Sequence, residues 1–133
     1  MTTLLLQALT QRHGLPVVDE TSVDALLHPA KGEADHVLLF FPGDATQRPE
    51  SSDIAVILPQ ILNAFSGRVR GAVVSSVAED RLRPRFQVLV SPSLVLTKGD
   101  HPLDVFTKVL DWSDYMTRIE TALDGLASKA VVQ

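Results

Sequence analysis

One short segment constrains the fold more than any other part of this sequence. His36–Phe41 reads HVLLFF, so five consecutive residues after the histidine are apolar. A strand with one solvent-facing side alternates apolar and polar residues, whereas a strand covered on both faces is apolar throughout. The segment therefore predicts a central β-strand with helices packed on each side of its sheet.

The segments around this strand have the periodicity or composition of regular elements. They are helices at residues 4–9, 21–27, 53–65, 78–86 and after Asp111, and strands at residues 16–18, 69–77, 94–97 and 103–110. A loop at residues 42–52 is expected to end at Ser52, the predicted N-cap of a helix that contains Pro59, and a four-residue turn is expected at 98–101. This order predicts an α/β fold with a mixed sheet and helices on both faces.

Length and charge narrow the function classes. The 133 residues predict one domain spanning 1–133, with a frayed tail at 128–133. The net charge of −4 argues against a nucleic-acid binder, and no apolar run approaches the roughly 20 residues that cross a bilayer. The apolar N-terminus lacks a preceding basic residue and a cleavage site, so a cytoplasmic protein without membrane insertion is expected.

Residue types that carry chemistry are sparse. The sequence has no cysteine, which excludes disulfides, thiol redox chemistry and thiolate metal sites. Four scattered histidines form no metal-ligand spacing, and no nucleophile elbow or phosphate-binding glycine loop occurs. The acidic pair Glu79 and Asp80 lies at the start of a predicted short helix, where the helix dipole alone favours acids. Neither a metal nor a cofactor is expected.

Two local signatures resemble the thioredoxin fold over nearly the whole chain. The first is the HVLLFF strand, followed by a loop and a helix with a proline inside it, Pro59. The second is RPRFQVLVSPSLVLTKGD at residues 83–100, which is similar to the family's helix, proline, strand and hairpin segment. The resemblance implies a three-layer α/β/α sandwich and places Pro92 at the family's cis-proline.

This sequence departs from the thioredoxin pattern at the redox centre. Counting back from Pro59, the two active-site cysteine positions fall on Ser51 and Ile54, and the strand before them lacks the family's buried acid. Disulfide exchange requires an attacking thiolate, so the thioredoxin reaction cannot operate here.

Within this fold, the chain resembles the cysteine-free hydrogenase expression/formation proteins encoded with uptake nickel-iron hydrogenases. The carrying features are the VLLFF strand, the loop containing RPES, the helix at 53–65 and the stretch FQVLVSPSLVLTKGDHPLDVFTKVLDW. The resemblance implies a non-redox chaperone for the hydrogenase small-subunit precursor, recognising its twin-arginine signal peptide, or a partner of other hydrogenase maturation proteins.

A site for such a peptide would combine carboxylates for the arginines with an apolar surface. The carboxylate candidates are Asp44, Glu50 and Asp53, and the apolar candidates are Phe41, Ile54 and Pro92. A cis bond at Ser91-Pro92 would present the Ser91 backbone to an extended peptide. With Ser51 at the former cysteine position, the predicted peptide-binding residues are Asp44, Glu50, Ser51, Asp53, Ile54, Ser91 and Pro92.

Two other functions remain open on the sequence. One is a glutathione-handling enzyme that uses Ser51 as a hydrogen-bond donor, although such enzymes usually carry a further helical domain. The other is a structural module that forms a homodimer or docks onto a larger assembly. An apolar dimer surface and a client groove have the same sequence signature.

Overall fold

The computed structural model describes residues 4–43, 49–107 and 109–124. Helices and strands follow one another along these ranges in the predicted order, and β4 and β5 form a hairpin. They are α1 (Leu4–Gln11), β1 (Val17–Val18), α2 (Val23–Leu27), β2 (His36–Phe41), α3 (Pro49–Ala64), β3 (Val69–Val74), α4 (Glu79–Leu82), β4 (Ser93–Lys98), β5 (His101–Phe106) and α5 (Trp112–Leu123).

The strands form one mixed sheet in the order β1-β3-β2-β4-β5. The first three are parallel, with Leu38 of β2 opposite Gly71 of β3. β4 runs antiparallel to β2, and β5 is antiparallel to β4. The carboxyl ends of β1, β2 and β3 therefore lie beside the amino end of β4, at one end of the strands. We call this end of the sheet, which runs across all the strands, the upper edge.

The central strand has a core on each of its faces, as its sequence predicts. Residues 37–41 have no exposed surface. Leu38 and Phe40 pack with α1, α3 and α5, whereas Val37, Leu39 and Phe41 pack with α2 and α4. Burying an apolar side chain of this size contributes roughly 1.5 to 3 kcal/mol, so β2 anchors both layers of the sandwich.

Two predicted boundaries are wrong. α3 begins at Pro49, so Ser52 lies inside the helix and is not its N-cap, and the predicted loop does not extend to Ser52. Proline suits the first turn of a helix because its missing amide hydrogen has no partner there. The helix continues through Pro59.

The hairpin is also tighter than predicted. Lys98 pairs with His101 across a two-residue connection, and β5 ends at Phe106. Gly99 takes a positive φ of 56°, which a tight reversal favours. β5 begins and ends earlier than predicted, because its pairing with the six residues of β4 fixes its bounds.

The two outer strands differ from the central ones. β1 has only two residues, and β5 contains Pro102, which has no amide hydrogen to donate. α5 packs beside β5, where Arg118 forms two hydrogen bonds with the Asp104 carboxylate and its guanidinium lies 4.4 Å from the Phe106 ring centroid.

Among the described residues, no helix is long and apolar enough to cross a membrane. Residues 128–133, where a frayed tail is expected, lie outside the described ranges.

Candidate functional site

Three segments converge at the upper edge of the sheet. Gly43 follows β2, Glu79 begins α4 after β3, and Ser91 and Pro92 precede β4. The Ser91-Pro92 peptide bond is cis, as the resemblance implies for this proline. The convergence follows from the topology, because the strands that carry these segments are neighbours.

The Glu79 side chain joins these segments. Its carboxylate accepts hydrogen bonds from the backbone amide of Gly43, at 3.0 and 3.2 Å to its two oxygens, and from the Ser91 hydroxyl at 3.0 Å. Only 3% of Glu79 is exposed. A buried carboxylate is tolerated when hydrogen bonds replace its lost hydration, which these contacts provide.

A cation completes the cluster. Arg83 donates from Nη2 to the Ser91 hydroxyl at 3.0 Å and lies 3.6 Å from the Glu79 carboxylate, while Nη1 faces Asp80 at 3.3 Å. Burial raises the pKa of Glu79, and the hydrogen bonds from Ser91 and Gly43 together with the Arg83 charge oppose that rise. The cluster holds a proton more readily than an exposed glutamate.

Gly43 and Ser91 are in direct contact. Gly43 has a φ of +67°, and a β-carbon placed on it would lie 2.7 Å from the β-carbon of Ser91. Two features therefore require glycine at this position: the positive φ and the close approach of Ser91.

Three exposed apolar residues lie next to members of this cluster along the chain. Val77, two residues before Glu79, is 86% exposed, and Leu89 and Val90, just before Ser91, are 89% and 49% exposed. We call Val77, Leu89 and Val90 the apolar patch. In the part of the chain that the structure describes, no hydrogen bond reaches the backbone of Leu89 or the backbone amide and carbonyl of Ser91.

The predicted site residues are placed in different environments. Ile54 is 1% exposed and packs in the core, and Pro92 and Phe41 are also buried, so these three side chains do not form an exposed rim. They are buried because each belongs to, or directly adjoins, an element packed on the central sheet. Near the Glu79 cluster along the chain, the exposed apolar residues include those of the apolar patch.

The predicted polar residues divide in the same way. Ser91 is part-buried within the Glu79 cluster, and Asp53 is exposed on α3 with no ion pair to any other described residue. Glu50 and Ser51 lie in α3, and their side chains are outside the described set. Asp44 is outside the described ranges altogether.

Glu79 was missed by reasoning from sequence, which attributes it to the dipole of a short helix. Its partners Gly43 and Ser91 are 36 and 12 residues away, so no local pattern reports them. One signal was present. Glu79 is three residues from the buried Leu82 and therefore shares the inward face of α4.

Other features of the surface lie away from this cluster. A cleft of about 730 Å³ lies at the opposite edge of the sheet, between α3 and the start of β3, with Pro59, Gln60 and Arg70 among its lining residues. Within the described ranges, no group of three or more acids and histidines is arranged to hold a metal ion.

Comparison with protein families gives one family model, Hydrogenase-1 expression protein HyaE, which matches residues 5–115. The hydrogenase expression/formation protein HupG of Rhizobium leguminosarum bv. viciae is 52% identical over 92% of this chain and 83% of its own length. HupG of Bradyrhizobium diazoefficiens is 40% identical over 85% and 76%, and HoxO of Azotobacter vinelandii is 36% identical over 91% and 78%.

Solved structures agree with the sequence relatives. The crystal structure of a putative hydrogenase expression/formation protein HupG from Rhodopseudomonas palustris superposes with a TM-score of 0.57 at 41% identity, covering 84% of this chain and 97% of that one. A yeast mitochondrial 1-Cys peroxiredoxin superposes with a TM-score of 0.61 at 15% identity, over 85% and 96%, and shows the thioredoxin-like fold alone. By fold and by sequence, the chain belongs to the HyaE family of hydrogenase expression proteins.

Proposed function

We propose that this protein acts in hydrogenase maturation as a non-redox chaperone that binds the twin-arginine signal peptide of the hydrogenase small-subunit precursor. Its membership of the hydrogenase expression family supports the maturation role. The absence of cysteine excludes thioredoxin-type disulfide exchange as the way it acts. In this proposal, the thioredoxin-like fold serves to bind an extended polypeptide at its surface.

The observation that carries this proposal is the segment at residues 89–91. Its side chains at Leu89 and Val90 face solvent, and the backbone polar groups of Leu89 and Ser91 make no hydrogen bond to other described residues. An extended peptide can pair with such a backbone as an added strand, while exposed apolar side chains contact its apolar residues. A signal peptide has an apolar segment of this kind.

Charge supports the arginine part of the proposal. Several acids follow the strands that end at the upper edge, and some are already paired, since Glu20 binds Arg81 at 2.8 Å and Asp80 faces Arg83. Asp53 has no such cation among the described residues. We propose Asp53, together with Asp44 and Glu50 in the segment leading to it, as the carboxylates that receive the two arginines.

Calorimetric titration tests the proposal. The full chain is titrated with a synthetic signal peptide that carries the twin-arginine motif and its apolar segment, and with a matched peptide in which both arginines are lysines. We expect the arginine peptide to bind more tightly, because guanidinium groups bind carboxylates in a bidentate geometry that an ammonium group lacks.

The apolar patch is tested with a matched pair of variants. Leu89→Ser should weaken peptide binding about tenfold, because it removes an apolar contact of roughly 1 to 2 kcal/mol. Leu103→Ser is the control, since Leu103 is 42% exposed on β5, away from the upper edge. Equal affinity of the two variants for the peptide would contradict the proposed docking surface.

A further inference from the structure

We propose that Glu79 is the positioning residue of the peptide site: its buried carboxylate fixes the segment carrying Leu89, Val90 and Ser91 against Gly43, which follows β2. This inference rests on the proposed function. With 3% of its surface exposed, Glu79 does not itself contact the peptide. It acts through the groups that it holds.

The first step of the argument is that the carboxylate connects three separate segments. One oxygen, Oε1, accepts from the Ser91 hydroxyl, and both oxygens lie within hydrogen-bond distance of the Gly43 amide. The side chain itself projects from α4. Since β2, β3 and β4 supply these segments, the contact sets their ends relative to one another at the point where the strand pairing stops.

The second step concerns which side of the 89–91 segment remains free. The Ser91 hydroxyl is directed inward by Glu79 and Arg83, and the Val90 carbonyl accepts a hydrogen bond from Ser93 Oγ at 2.7 Å. These contacts attach the segment to the rest of the protein through the Ser91 hydroxyl and the Val90 carbonyl. Leu89 is exposed, and the Ser91 main chain makes no hydrogen bond to another described residue, which leaves its backbone groups free for strand addition.

The third step is pre-organisation. A segment that is already fixed in the bound conformation loses less conformational entropy when a peptide binds. Loss of the Glu79 contact should therefore weaken binding even when the fold survives. Because Glu79 and Ser91 act through one hydrogen bond, their effects on peptide affinity should not add.

A double-mutant cycle tests this. Glu79→Gln, Ser91→Ala and the double variant of the full chain are titrated with the twin-arginine peptide, after urea unfolding has established that each is folded at the temperature used. We expect each single variant to weaken binding about fivefold to tenfold and the double variant to weaken it no more than either alone. Ser91→Thr, which keeps the hydroxyl, should restore most of the affinity.

Asp35→Asn is the charge-matched control, since Asp35 is exposed before β2 at the opposite edge of the sheet, and its affinity should equal that of the wild type. The positioning role is overturned if the wild type binds the peptide and the Glu79 and Ser91 variants bind it with the affinity of the wild type. It is also overturned if the double variant loses the product of the two single losses in affinity. In both cases the proposed function stands. If the wild type itself does not bind the peptide, the proposed function fails, and the inference with it.

Discussion

At the scale of single residues, the buried carboxylate of Glu79 is the most informative group. Placing a charged group inside a protein costs free energy unless hydrogen bonds or an opposite charge replace the water it loses. Glu79 has both, from Gly43, Ser91 and Arg83. Burial nevertheless has the largest effect on its pKa, which it raises.

This raised pKa predicts a pH dependence of stability. The folded state binds the Glu79 proton more tightly than the unfolded chain does, so protonation contributes stability that is fully present below the ordinary glutamate pKa of about 4.3 and is lost as the pH rises through the raised value. We expect the Tm of the wild type, relative to that of Glu79→Gln, to increase between pH 7 and about pH 4.5, measured by differential scanning calorimetry.

The comparison with Glu79→Gln isolates this group. Asp19, whose pKa is lowered mainly by its hydrogen bonds with Thr21, acts in the opposite direction at lower pH, but it is common to both proteins and cancels in the difference. Parallel Tm profiles for the two proteins would show that Glu79 has no raised pKa.

Gly43 gives a second prediction at this scale. Gly43→Ala should be destabilising, because alanine is strained at a φ of +67° and its methyl group would overlap Ser91. Gly14→Ala is the matched control, since Gly14 has a φ of +69° and no atom within 4 Å of its added β-carbon. In urea unfolding, Gly14→Ala should lower the free energy of unfolding by about 1 kcal/mol, and Gly43→Ala should lower it by at least about 1 kcal/mol more. Equal losses would contradict the contact with Ser91.

At the scale of elements, the attachment of α5 to β5 combines apolar and polar contacts. Tyr115 and Ile119 are buried against the sheet, and the Tyr115 ring meets Phe106 edge-on at 5.6 Å. Arg118 adds its paired hydrogen bonds with Asp104 and its stacking on Phe106. This geometry depends on a planar guanidinium, which lysine lacks.

Arg118→Lys should therefore lower the free energy of unfolding by about 1 kcal/mol, because it removes one hydrogen bond and the stacking while keeping the charge. Arg68→Lys serves as the comparison, since Arg68 forms exposed ion pairs with Glu120 and Asp124 of the same region at 3.9 and 3.5 Å. Arg68→Lys should lower the free energy of unfolding by less than about 0.5 kcal/mol, measured by chemical denaturation. A similar loss for both variants would mean that charge alone matters at Arg118.

The elements also show how far sequence could lead. β2 was predictable because a short run of five consecutive apolar residues next to a polar turn segment is typical of a strand that is covered on both faces. The start of α3 was not, because Pro49 has the same signature in a loop and in a first helical turn. The burial of Ile54 and Pro92 was not predictable either, since exposure at the upper edge depends on pairing between strands that are distant in sequence.

At the scale of the whole molecule, charge and binding are connected. The net charge is −4, and the proposed arginine-binding residue Asp53 lies on α3 near its start, at the upper edge. Salt screens attractions between exposed charges, with a Debye length that falls from about 10 Å at 0.1 M to about 3 Å at 1 M. Binding of a cationic peptide should respond to salt in consequence.

We expect the affinity for the twin-arginine peptide to fall severalfold between 50 and 500 mM sodium chloride, measured by isothermal titration calorimetry. Asp53→Asn should flatten this dependence, because it removes one of the attracting charges. Asp35→Asn, with the same change in net charge, should leave the slope as it is in the wild type. Identical slopes for all three proteins would exclude a direct contribution of Asp53.

The flanks of the sheet have a consequence for such a protein. A protein with unpaired backbone groups that can bind another polypeptide can also self-associate through strand pairing. Here one outer strand is too short to template a neighbour, and the other interrupts its donor row at Pro102. We therefore expect that the protein does not polymerise through its outer strands at high concentration, which size-exclusion chromatography measures.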